Sequence, residues 1–172
     1  MNAHVLPDVL APGLRLVICG TAAGAESSKL HAYYAGPRNK FWRVLFETGL
    51  TPRQLLPSEF RELLSFGIGL TNIVKTASGS DAQLPHDAFD VPGFIKRIRR
   101  ARPGVVAFNG KASAAAFYRV SSRRLMYGQG PPGSAFPPVW ILPSTSGAAS
   151  RYWSHEWWRQ LALAYDFRQI VQ

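Results

Sequence analysis

The sequence predicts a layered α/β domain on a central, mainly parallel four-stranded sheet, and three observations carry that reading. Four short apolar runs, Leu14–Gly20, Ile68–Val74, Val105–Gly110 and Val139–Pro143, are almost continuously hydrophobic, and each ends in small or turn-forming residues. Strands covered on both faces read this way, whereas half-exposed strands alternate apolar with polar positions. The stretches between the runs are long enough for helical crossovers, which parallel pairing requires. At 172 residues and 47% hydrophobic content, the chain suits one domain with a sizeable core, so residues 1–172 are read as a single unit.

Taken in order, residues 1–13 hold Pro7, Pro12 and Gly13 without periodicity and read as a loose arm. The first strand follows, then helices over Lys40–Thr48 and Ser58–Ser65, the second strand, a helix over Ala88–Ala101, the third strand and a helix over Lys111–Tyr118. The segment Tyr127–Pro138, dense in Gly and Pro, reads as an irregular loop into the fourth strand. A last helix spans Ser154–Arg168, with Trp157, Trp158, Leu161, Ala164 and Tyr165 at helical spacing as a core-facing stripe. Ser58 and Ser154 are the candidate N-caps.

Composition narrows the function. Twenty Lys and Arg against ten Asp and Glu give a net charge of +10, which favours a polyanionic partner. Charged residues are only 17%, so the excess reflects a shortage of acids rather than a basic tail. With one cysteine, Cys19, there is no internal disulfide and no four-cysteine metal cluster, and its place in an apolar run makes it a buried strand residue. His4, His31, His86 and His155 show no metal-ligand spacing, although His31 is near enough to the first loop to support it. No cofactor is called for. No apolar stretch approaches a membrane span, and the N-terminus lacks a signal-peptide pattern, so a cytoplasmic, nucleoid-associated protein is expected.

In an open α/β sheet, ligands bind at the carboxyl ends of the strands. The loops there are rich in small residues: Gly20–Ser28 after the first run, Lys75–Gly79 after the second, Asn109–Lys111 after the third and Pro143–Arg151 after the fourth. Small residues let backbone amides approach a ligand, and Lys75, Lys111 and Arg151 stand ready for phosphates. Neither GxGxxG nor GxxxxGK[ST] occurs, which argues against the common nucleotide folds. Tyr33, Tyr34, Arg38, Lys40, Phe41 and Trp42 interleave aromatic with basic side chains, as a base-stacking surface beside a phosphate track requires. The run Lys96, Arg97, Arg99, Arg100 and Arg102 is either a solvated helix face or an extension of that track.

These motifs carry a resemblance. Gly20-x-x-x-Gly24, Tyr33-Tyr34-Ala35-x-Pro37-Arg38-Asn39-x-Phe41-Trp42, Gly69-Leu70-Thr71-Asn72, Gly110-Lys111 and Pro143-Ser144-Thr145-Ser146-Gly147 together resemble the uracil-DNA glycosylase superfamily over about residues 14–165. The match is most similar to the mismatch-specific uracil and thymine branch, with elements of the hypoxanthine branch. It implies a three-layer α/β/α fold and monofunctional hydrolysis of the N-glycosidic bond of uracil, or another deaminated base, flipped out of single- or double-stranded DNA by a monomer. By matching position Tyr34 stacks on the base with Phe41 beside it, loop amides around Thr21 and Ala22 face the base oxygens, and Ser144, Ser146, Gly147 and Arg151 meet DNA.

The departures also matter. Mismatch-specific relatives hold the attacking water with an Asn where this chain has Ala22, so the resemblance moves that role to Asn39, which could equally cap the helix beginning near Lys40. Glu26 is the acid of the first loop and the second catalytic candidate. Asn109 is expected to read the base edge through its paired donor and acceptor, while Asn72 is read as structural. Relatives push a large apolar wedge into the duplex where this chain has Ala148 and Ala149, which points to easier action on single strands. A DNA-binding relative without catalysis is the alternative that Ala22 leaves open.

Overall fold

The computed structural model describes residues 3–133 and 135–166. Four parallel strands form where the apolar runs lie: β1 (Leu16–Gly20), β2 (Ile68–Asn72), β3 (Val105–Asn109) and β5 (Val139–Leu142), every residue buried. A fifth strand corrects the expected four. The two residues of β4 (Gly128–Gln129) pair antiparallel with β5 inside the Gly- and Pro-rich segment, giving the order β2-β1-β3-β5-β4.

The sheet is covered on both faces, which makes three layers. Leu16 and Ile18 of β1 with Ala107 of β3 belong to one core beneath α2 (Phe41–Glu47), the 3-10 stretch Pro57–Phe66 and α5 (His155–Ala164). Val17, Cys19, Val106 and Phe108 point the other way, onto α3 (Val91–Ala101) and α4 (Lys111–Tyr118). Alternation of side chains along each strand divides its apolar residues between the two cores. The helix stripe expected in α5 holds at Trp158 and Leu161, while Ala164 is exposed. Its expected run to Arg168 extends outside the described residues. Ser154 takes the N-cap position of α5 without a side-chain bond, and Ser58 falls inside the 3-10 stretch, whose start is braced by Glu59 Oε2 accepting from Leu56 N at 2.7 Å.

The segment 1–13 was expected to be loose, and over its described residues it is docked. Leu6 and Val9 are buried, and Val9 exchanges backbone hydrogen bonds with Leu70 at 2.9 Å in each direction. Asp8 is the anchor: its Oδ1 accepts from Thr71 Oγ1 at 2.6 Å and from Lys75 Nζ at 2.8 Å, and Arg97 Nε lies 3.4 Å from its Oδ2. Lys75 Nζ also donates to Leu6 O at 2.8 Å. A charge is removed from water at low cost only when its partners are supplied; here Asp8 holds Lys75 and Arg97, and Asp90 Oδ2 lies 3.8 Å from Arg97 Nη1. Burial pulls the pKa of Lys75 down, and Asp8 opposes that shift.

Arg97 is therefore part of this buried cluster and also donates to Asn72 O at 2.9 Å. Arg99, Arg100 and Arg102 sit at the carboxyl end of α3, a few residues before β3 begins, and so at the opposite edge of the sheet from the strand-end loops. They do not extend a track there.

Removing Asp8 leaves the buried Lys75 without a carboxylate and Arg97 with only the more distant Asp90, 3.8 Å away. Asp8→Ala is expected to lower stability by about 3 kcal/mol, read as a lower urea midpoint at unchanged slope. Glu47→Ala, which removes the exposed pair with Arg43 at 2.6 Å and a contact with His155 Nε2 at 3.7 Å, should cost no more than about 0.5 kcal/mol. Equal losses in the two variants would contradict this account of the arm.

Candidate functional site

In the order β2-β1-β3, the chain leaves β1 for one side and returns to β3 on the other, so the loops at their carboxyl ends diverge. A crevice opens at such a reversal. A cleft of about 1070 Å³ lies there. Of the residues expected in a site, it is lined by Thr21, Ala22, Glu26, Tyr34, Asn39, Asn109, Lys111, Ser144, Ser146 and Gly147. Tyr33 and Arg38 of the interleaved aromatic and basic stretch also line it, and Asn72, Asp81, Arg123, Tyr127 and Tyr152 join them unforeseen.

Its floor is made at the end of β1. Gly20 faces Asn72 across the β1–β2 register, and a Cβ on Gly20 would stand 2.6 Å from Asn72 Oδ1 and 3.1 Å from Tyr34 Oη. Both groups therefore close over a position that only glycine leaves open. Tyr34 Oη is buried without a hydrogen-bond partner among the described residues, and Asn72, a largely buried residue, lines the cleft beside it. An unpaired polar atom in a protein interior is costly, and one at the cleft floor, beside the Asn72 amide, marks a place for a polar ligand. Burial pushes the Tyr34 hydroxyl pKa up, opposed by the nearby Asn109 side chain.

Local structure holds Tyr34 in place. Its backbone is left-handed, with φ of 52°, a conformation that costs a non-glycine residue about 1 kcal/mol or more. The turn is fixed by Ala35 N donating to Ser27 Oγ at 3.1 Å and by Trp42 Nε1 donating to Tyr33 O at 3.1 Å. Ser27 belongs to α1 (Ala25–Leu30), a short helix within the segment that reads as a loop in the sequence. Phe41 stacks on the Tyr34 ring at 3.8 Å between centroids and is fully buried. It backs the ring and does not line the cleft, which corrects its expected place against a base.

Asn109 differs from expectation too. Its Nδ2 donates to Thr145 Oγ1 at 2.9 Å and its Oδ1 accepts from Thr145 N at 3.0 Å, so the paired donor and acceptor expected to read a base instead brace β3 to the loop after β5. Asn39 has the capping geometry foreseen as its other role: its Oδ1 accepts from Phe41 N at 3.0 Å, while its Nδ2 has no partner among the described residues. Glu26 is exposed in the first turn of α1.

The cationic candidates separate. Lys111 lines the cleft with its Nζ 4.5 Å from the centre of the Tyr127 ring. Lys75, expected at a phosphate, is committed to Asp8 and buried, and Arg151 is exposed beyond the lining residues. His31 is an exposed left-handed residue closing α1, not part of the lining. The loop after β5 is shaped by Ser144 Oγ accepting from Ser146 N at 3.2 Å and Ser146 Oγ accepting from Ala148 N at 3.3 Å. Gly147 lets it touch the opposite wall, since a Cβ there would lie 2.8 Å from Arg38 Cβ.

The model of the uracil DNA glycosylase superfamily matches residues 7–165. The chain belongs to that superfamily, whose enzymes are hydrolases acting on DNA. A candidate uracil DNA glycosylase from Methanosarcina acetivorans, solved by NMR in solution, has a similar fold: its TM-score is 0.65 at 21% identity, over 99% of each chain. Among the described residues no helix is long and apolar enough to cross a membrane, and no cluster of acids, His and Cys could hold a metal ion.

The two kinds of polar group predict opposite stabilities. Tyr34→Phe removes an unpaired buried hydroxyl and should leave thermal stability unchanged or raise it by about 1 kcal/mol. Asn109→Ala strips Thr145 N of its acceptor and should cost about 1–3 kcal/mol. Thermal unfolding of both variants checks the contrast, and destabilisation by Tyr34→Phe would show that its hydroxyl is already satisfied.

Proposed function

We propose that the protein is a monofunctional DNA glycosylase that removes uracil, flipped from single- or double-stranded DNA, and so begins base excision repair as a monomer. The observation that carries this reading is the floor of the cleft, where the buried, unpartnered Tyr34 hydroxyl and the cleft-lining Asn72 amide meet beside Gly20. Uracil offers carbonyl oxygens and an N–H at its edge, and an amide supplies both complements. Asn72 takes the role of edge reader in this proposal, because Asn109 is occupied by Thr145.

The Tyr34 ring, held from behind by Phe41, supplies the stacking face. Cleavage leaves electron density on the departing base, and an N–H of Asn72 aimed at its oxygen stabilises that charge in a site shielded from water. Arg38, Lys111 and Arg123 with the small-residue loop 144–147 line the cleft where phosphates on either side of a flipped nucleotide would pass. Asn39 keeps its amide nitrogen free to orient water or the base while its oxygen caps the helix. The small Ala148 and Ala149 support action on single strands as well as duplex.

An oligonucleotide with one deoxyuridine, treated with alkali after incubation, reports excision as strand scission. Asn72→Ala should lower single-turnover excision about 10²–10³-fold, the loss expected for one donor to a developing anion. Binding should weaken steeply with salt, and Lys111→Ala should make the log–log slope shallower by about one. Tight, salt-sensitive binding without scission would replace this reading with that of a DNA-binding relative lacking catalysis.

A further inference from the structure

Hydrolysis of a glycosidic bond needs an acceptor for a proton of the attacking water, and the cleft has few free ones. Asn109 Oδ1 already accepts from Thr145 N, and Asn39 Oδ1 from Phe41 N. Two carboxylates line the cleft, Glu26 and Asp81. Glu26 projects from an exposed helical turn. Asp81 is placed differently. Its loop is tied to the wall after β1 by Gly79 N donating to Ala23 O at 2.9 Å and by the Ala23–Ser78 bridge. Ser80 then donates from its N and Oγ to Gln83 Oε1 at 3.0 and 2.9 Å, which sets the turn on which Asp81 stands.

Asp81 therefore faces the cleft from a pinned backbone, beside the Thr21 side chain, and no Lys or Arg pairs with it among the described residues. Although the residue as a whole is exposed, crowding around the carboxyl raises its pKa above the usual Asp range, with Thr21 acting in the opposite direction. A carboxylate so placed is a stronger base than an ordinary one. The other charged groups lining the cleft are Glu26, Arg38, Lys111 and Arg123.

We propose that Asp81 is a catalytic base of this site, its carboxylate accepting a proton from the water that attacks the sugar. The assignment rests on the glycosylase reading above. In the step, the C1′–N bond breaks and its electron pair leaves with the base as an anion. The water oxygen bonds to C1′, and the released proton passes to Asp81, from which it returns to solvent or the departing base.

The test is single-turnover release of uracil from a deoxyuridine oligonucleotide, measured across pH for wild type, Asp81→Asn, Glu26→Gln and the control Asp87→Asn, which alters an exposed acid outside the cleft lining. Asp81→Asn should lose about 10²–10⁴-fold in rate, while binding of an uncleavable 2′-fluoro-deoxyuridine oligonucleotide stays within threefold. Because the Asp81 pKa is raised, wild-type activity should fall with decreasing pH at a higher pH than an ordinary carboxylate would give, and Asp81→Asn should lack that limb. The control should match wild type. A rate for Asp81→Asn within threefold of wild type, or a loss that follows Glu26→Gln instead, overturns the assignment and leaves the glycosylase reading standing. Absence of uracil release by wild type overturns both. Should Asp81→Asn not fold, Asp81→Glu is read instead: a slower rate with the acidic limb retained supports the base, and a wild-type rate without the limb overturns it.

Discussion

The central position of β1 is the constraint on which the rest of the structure depends. By pairing in parallel with β2 on one side and β3 on the other, β1 sends the chain away in two directions, and a crevice opens at its carboxyl end. Gly20 completes the effect. A side chain at that position would occupy the space shared by Asn72 and Tyr34, so the depth of the cleft follows from one missing Cβ at the strand end.

Around that point the polar groups fall into two classes, distinguished by whether their bonds are complete. Asn109 with Thr145, Ser27 with Ala35, and Asp8 with Lys75 are closed pairs that fix the walls. Tyr34 Oη, beside the Asn72 amide, is open. A folded chain tolerates such open groups where stability elsewhere exceeds their cost, and the buried cores on both faces of the sheet supply it here. Pre-set donors need little rearrangement when charge develops beside them, which is how an electrostatic site gains rate.

Much of this was legible in the sequence. The four parallel strands announced themselves because burial on both faces leaves nearly unbroken apolar runs, and loop composition located the cleft. What escaped was set by partners far along the chain. Two-residue β4 has no strand signal of its own and exists because β5 offers an edge. Lys75 looked like a phosphate contact because nothing nearby in sequence shows that Asp8 will neutralise it. Asn72 reads as structural because it lies inside its apolar run, and only the register that sets it opposite Gly20 shows its side chain reaching the cleft. Asp81 lay in a polar stretch without periodicity, where the link from Gly79 to Ala23 could not be foreseen.

The contact between Gly147 and Arg38 has a mechanical consequence. Lys40 N donates to Thr145 O at 2.9 Å, and Lys40 Nζ to Ser150 Oγ at 2.8 Å, so the loop after β5 and the turn that carries Tyr34 and Asn39 are fastened at several points. They form a clasp whose two halves are joined. A strand gripping one half would tug the other along, so engagement of the backbone and alignment of the stacking ring become one event rather than two.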